Sequence, residues 1–87
     1  VAGYRAEVLR RLVEEGKAMP APGQSRPGRF PIATREDLEN AVRAVGRVAG
    51  GEAERAKVRR FIMRRARELR LTELIPDTWR ADGSLKS

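Results

Sequence analysis

The chain has 87 residues, 19 Lys+Arg against 12 Asp+Glu, a formal net charge of +7, and neither Cys nor His. Zero Cys excludes disulfides, thiolate catalysis and every Cys-containing zinc site, and zero His removes the commonest general base and the commonest metal ligand. What remains is one small domain, or a smaller one with a tail, whose positive excess favours a polyanion such as nucleic acid or an anionic surface.

Twelve of the 35 apolar residues are Ala, so 23 larger side chains must supply the core. Chains of this size bury only about 60–65% of their unfolded surface. A partner, or self-association into a homo-oligomer, is the expected source of extra burial. No apolar run approaches the roughly 20 residues of a transmembrane helix, and no basic segment leads into an apolar one as in a secretory signal. The expected location is cytoplasmic or inside a phage-like particle, with no membrane partner.

Residues 4–15 read as a helix within an N-terminal segment 1–16. Tyr4, Val8 and Leu12 recur at helical spacing, and Leu9 and Val13 widen the stripe. Gly16 stands where a left-handed C-cap residue belongs. Residues 17–33 hold four of the five prolines, with Gly23 and Gly28 among them. Proline lacks the amide donor and fixes φ, so this stretch reads as an extended linker. Lys17, Arg26 and Arg29 give the linker a charge of +3, read chiefly as solvation and only secondarily as a polyanion-binding arm. Phe30-Pro31-Ile32 is expected to pin its end onto the helical core.

Residues 35–48 form the second predicted helix. Thr34 is a good N-cap, and Asp37 completes a capping-box variant. Leu38, Ala41, Val42, Val45 and either Val48 or Ala49 make its apolar stripe, and Gly50-Gly51 permits a tight reversal. Residues 52–70 form the longest helix, with Glu52 and Glu54 at the end where the helix dipole favours acids. At about 100° per residue, Val58, Phe61, Ile62, Ala66 and Leu69 share an arc of about 140°. Lys57, Arg60, Arg64 and Arg67 share the opposite side, widened by Arg59, Arg65 and Arg70. Residues 51–71 carry eight basic and three acidic residues, a net +5. Thr72 caps a short turn that Pro76 stops. Leu74, Ile75 and Trp79 are expected to fold back as a lid on the core, with Trp79 stacking on a nucleic-acid base as the lesser reading, and 80–87 to fray.

These elements predict an all-α fold. A helical hairpin at about 35–48 and 52–70 lies within a domain spanning 34–79, closed by a short C-terminal turn. The N-terminal helix joins it through the Pro-rich linker.

The basic stripe Lys57, Arg60, Arg64 and Arg67 is the sharpest functional feature. Arginine's planar fork pairs with phosphate oxygens at two points, so the stripe reads as phosphate contacts to DNA or RNA. A solvated or protein-facing helix side is the competing reading. Sequence readout by a helix-turn-helix is disfavoured, because Glu52 and Glu54 occupy the helix start that would meet base edges. A membrane-surface helix is disfavoured because Phe61 and Ile62 are needed for the core. The carboxylate pairs Glu36/Asp37 and Glu52/Glu54 are accounted for by helix starts, and no phosphate-cradling glycine loop is present. No catalytic residue, cofactor or metal is therefore expected.

The alternative is a structural or interaction protein whose first helix docks on a protein assembly through Tyr4, Val8, Leu9 and Leu12. A resemblance bears on this. The residues are Gly16-Lys17-Ala18-Met19-Pro20, Phe30-Pro31-Ile32, Asp37-Leu38-x-Asn40-Ala41-Val42 and Ala44-Val45-Gly46-Arg47. Ile62, Arg64-Arg65-Ala66, Leu69 and Leu74-Ile75-Pro76-Asp77-x-Trp79 complete the set. Nearly three quarters of the chain thus resembles a small module of actinobacterial and actinophage proteins. That module recurs alone and at the ends of phage head-associated polypeptides, including capsid and maturation-protease chains. The Pro-rich stretch between Met19 and Phe30 is longer here. The resemblance implies a phage-related context and no mechanism.

Overall fold

The computed structural model describes residues 4–21 and 27–86. They form an all-α protein with three helices among the described residues, and the chain divides into two compact units after Ala33.

In the first unit, α1 spans Ala6–Glu14. It ends as its sequence predicts. Gly16 adopts φ 78°, its N–H donates to the Val13 carbonyl at 3.1 Å, and the Lys17 N–H donates to the Leu12 carbonyl at 2.7 Å. This is a Schellman closure, and it satisfies carbonyls the helix end would leave open. The following segment departs from the expected extended linker. Met19 and Arg29 exchange two backbone hydrogen bonds, at 2.8 and 2.7 Å, and Ile32 N–H donates to Lys17 at 2.7 Å. Ala18, Met19 and Ile32 are buried, Ile32 completely. The prolines exclude helix here, but the amides between them still need partners, and pairing across the loop supplies them. Gly28 fits its position closely, because a Cβ there would collide with Val13 and crowd the Met19 carbonyl, with Leu9 in contact beyond.

The second unit opens with α2, Arg35–Ala44. Thr34 Oγ1 accepts from the Asp37 N–H and the Asp37 carboxylate accepts from the Thr34 N–H, both at 3.2 Å. The reciprocal capping box is thus present. The helix stops earlier than its stripe predicts and tightens into a 3₁₀ turn at Val45–Arg47. Gly50 and Gly51 follow at φ 107° and 87°, a left-handed pair that reverses the chain. α3 then runs Gly51–Leu69. Leu38, Ala41, Val45 and Val48 are buried from the α2 side, and Val58, Ile62, Met63 and Ala66 from α3. Leu38, Val58 and Ile62 are fully buried, each contributing on the order of 1.5–3 kcal/mol.

α3 ends like α1, with Arg70 N–H donating to Arg67 at 3.1 Å and Leu71 N–H to Ala66 at 2.8 Å. Here Arg70, at φ 59°, holds the left-handed position that Gly16 holds in α1. A short 3₁₀ turn at Thr72–Leu74 follows. Residues 80–86, expected to fray, instead close a small hairpin. Trp79 and Leu85 form an antiparallel bridge, Lys86 N–H donates to Thr78 at 2.7 Å and Arg80 N–H to Ser84 at 2.7 Å. The physical reason is Gly83, which is buried at φ 89° so close to α3 that a Cβ would collide with the Ala56 carbonyl.

Candidate nucleic-acid interface

The four stripe residues lie within an arc of about 80° and span about 15 Å of helix. Lys57, Arg60 and Arg67 are exposed and Arg64 is partly so. Their environments differ. Arg60 donates to the backbone carbonyl of Asp82 at 2.9 Å. Arg64 bonds Glu68 at 3.0 Å, and its guanidinium carbon lies 5.2 Å from the centre of the Phe61 ring. Lys57 and Arg67 have no hydrogen-bond or ion-pair partner among the described residues.

The arginines expected to widen this stripe face elsewhere. Arg59 is 3% exposed and Arg65 is 5% exposed. Arg59 Nη1 donates to Glu52 at 2.6 Å and to the Gly83 carbonyl at 2.8 Å. Arg65 Nη1 donates to Glu68 at 2.7 Å. Both are spent inside the protein, as is much of Arg55, which bonds Glu52 at 3.2 Å and the Val48 carbonyl at 3.0 Å. Arg70 serves as the helix end.

The carboxylates record this wiring. Hydrogen bonds from Arg59 and then Arg55 hold Glu52 below the ordinary glutamate pKa. The hydrogen bond from Arg65, with the charge of Arg64, does the same for Glu68. Hydrogen bonds from Ser84 hold Asp82 below its ordinary value.

In the first unit, Lys17 pairs with Glu15 at 3.4 Å. Arg29 is tied through its backbone to Met19, and Arg26 lies outside the described residues. Of the α1 stripe, Leu12 is buried, while Tyr4, Val8 and Leu9 are half-buried, Leu9 facing Gly28. The stripe is thus partly covered within its own unit.

Trp79, expected as a lid on the core, is only half-buried and lines an open cavity with Arg67. The sequence signal for this was the pair Pro76 and Trp79, which place an aromatic beside the end of the basic helix. Among the described residues no group of three acidic, His or Cys side chains is arranged to hold a metal ion, and no helix is long and apolar enough to cross a membrane. No family model, curated protein or solved structure matches this chain.

Proposed function

We propose that the chain is a non-enzymatic basic module that contacts nucleic acid through its phosphates, using Lys57, Arg60, Arg64 and Arg67 on the outer face of α3. One observation carries the reading. Three of these four cations have no carboxylate partner among the described residues, on a helix whose other arginines are paired to Glu52 or Glu68. A face meant only for solubility needs no such segregation, whereas phosphate oxygens need unneutralised donors.

Titration with duplex DNA or RNA at low salt tests it. Backbone amide signals of residues 57–67 are expected to shift. For three to four contacts to duplex DNA, log K is expected to fall against log salt with a slope of about −2.7 to −3.6. Absence of any shift at that face overturns the reading. Docking of α1 on a phage-related assembly through Tyr4, Val8, Leu9 and Leu12 draws less support, because Leu12 is buried and Leu9 faces Gly28.

A further inference from the structure

Arg67 belongs to two features at once. It ends the basic face of α3, and it lines a cavity of about 340 Å³. Met63, Ile75 and Pro76 supply the apolar lining. Thr72, Asp77, Trp79 and Lys86 complete the wall, Lys86 being carried there by the terminal hairpin. The side chains of Arg67, Thr72, Asp77, Trp79 and Lys86 all lack hydrogen-bond and ion-pair partners among the described residues. The lining is thus mixed, apolar on one part and carrying uncommitted polar groups on the other, and the volume falls at the low end of the roughly 300–1,000 Å³ range for ligand sites.

We propose that the cavity takes one unstacked nucleotide of a single strand that tracks along the basic face. The base lies against the Trp79 indole and its phosphate between Arg67 and Lys86. The inference rests on the phosphate-contact reading above. Two observations select this ligand. Arg67 and Lys86 against Asp77 leave a net charge of +1, which matches one phosphodiester and not a cluster of phosphates. The single tryptophan of the chain borders the same space, and an aromatic platform accepts any base because every base has a π-face. Thr72, Asp77 and the indole N–H are then free for the base's polar edge. A base inside a duplex reaches such a pocket only after unstacking, so the site discriminates in favour of single strands.

Because Trp79 is the sole tryptophan, its fluorescence reports the site directly. The full chain is titrated at low salt with a short mixed-sequence DNA strand, with the duplex made from it, and with adenosine monophosphate. The strand is expected to quench Trp79 and to bind about tenfold or more tighter than the duplex. Trp79→Ala is expected to lose about tenfold for the strand and little for the duplex, and Trp79→Phe to retain most of the strand affinity. Lys86→Gln, at an exposed position, is expected to lose several-fold for the strand alone, which keeps the test independent of whether Trp79→Ala folds. Equal, salt-sensitive binding of strand and duplex without quenching overturns the pocket and leaves the phosphate-contact reading standing. Quenching that survives neutralisation of Lys57 and Arg60 without loss of affinity overturns that reading and leaves the pocket. Adenosine monophosphate binding as tightly as the strand overturns the strand in favour of a free nucleotide.

Discussion

Arg59 and Arg60 are neighbours in α3, yet Arg59 is 3% exposed while Arg60 is open to solvent. Their partners differ as much as their burial. Arg59 bridges the first turn of its helix to the terminal hairpin through Glu52 and Gly83. Arg60 reaches only the Asp82 carbonyl, so most of its guanidinium still faces water. Arg65 and Arg64 differ in burial in the same way, although both bond Glu68. Inward arginines act as structural crosslinks whose charge is offset on the spot. The outward Lys57, Arg60 and Arg67 have no carboxylate partner among the described residues and keep their charge. Basic residues lie on both sides of the helix, and the direction of the side chain decides the role.

The largest expected effect tests the inward set. Arg59→Ala is expected to cost about 1–3 kcal/mol, because it empties a buried position and leaves the buried Gly83 carbonyl without its donor, while Glu52 stays in solvent. Arg60→Ala should stay within about 0.5 kcal/mol. Equal losses in urea unfolding would erase the distinction between them. Next comes the hairpin to which Arg59 is tied. Gly83→Ala forces a Cβ into the Ala56 carbonyl at a left-handed φ, and a loss of about 2 kcal/mol is expected from the same measurement. A smaller effect of opposite sign is expected at the helix end. Arg70→Gly relieves a left-handed non-glycine residue, so the melting temperature should rise, with about 1 kcal/mol gained. The smallest effect is in acid. Glu52 and Glu68 have folded pKa values below their ordinary 4.5. Their contribution is therefore complete above 4.5 and is lost as pH falls through the lowered values. Urea midpoints at neutral pH and well below 4.5 should differ less in Glu52→Gln than in the parent.

Signals confined to a few adjacent residues were legible in the sequence. Gly16 closes α1, and Thr34 with Asp37 starts α2, because both devices act within one helical turn. The all-α fold follows from the same local periodicity. Arg65 was legible by position and not by type. It lies about 20° from Val58 around the helix, inside the apolar arc, but an arginine reads as a surface residue. Its aliphatic stem nonetheless packs like a hydrocarbon. The burial of Arg59 was not legible, since Glu52 two turns away gives it only an exposed partner and its buried acceptor Gly83 lies 24 residues away. The packed loop at 27–33 and the hairpin at 80–86 were missed for the same reason. Both rely on backbone pairing and on a close approach by a glycine, Gly28 or Gly83, neither of which leaves an apolar period; of the first, only the packing of Ile32 was legible. The cavity beside Trp79 depends on that hairpin, so the candidate site was legible along α3 and hidden beyond it.

The terminal hairpin has a consequence for motion. Its attachment to α3 is made by Arg59, Arg60 and the Gly83 contact, while Leu85 is 45% exposed and lends it little apolar cover. A polar clasp of this kind opens at a lower free energy than a packed helix pair. The Arg80 and Lys86 amides, each held by one 2.7 Å bond, should exchange with deuterium before those of Val58 and Ile62, and in step with each other. Each such opening carries Lys86 away from Trp79 while α2 and α3 stay folded, so the hairpin would set the lifetime of any guest in the cavity independently of the stability of the fold.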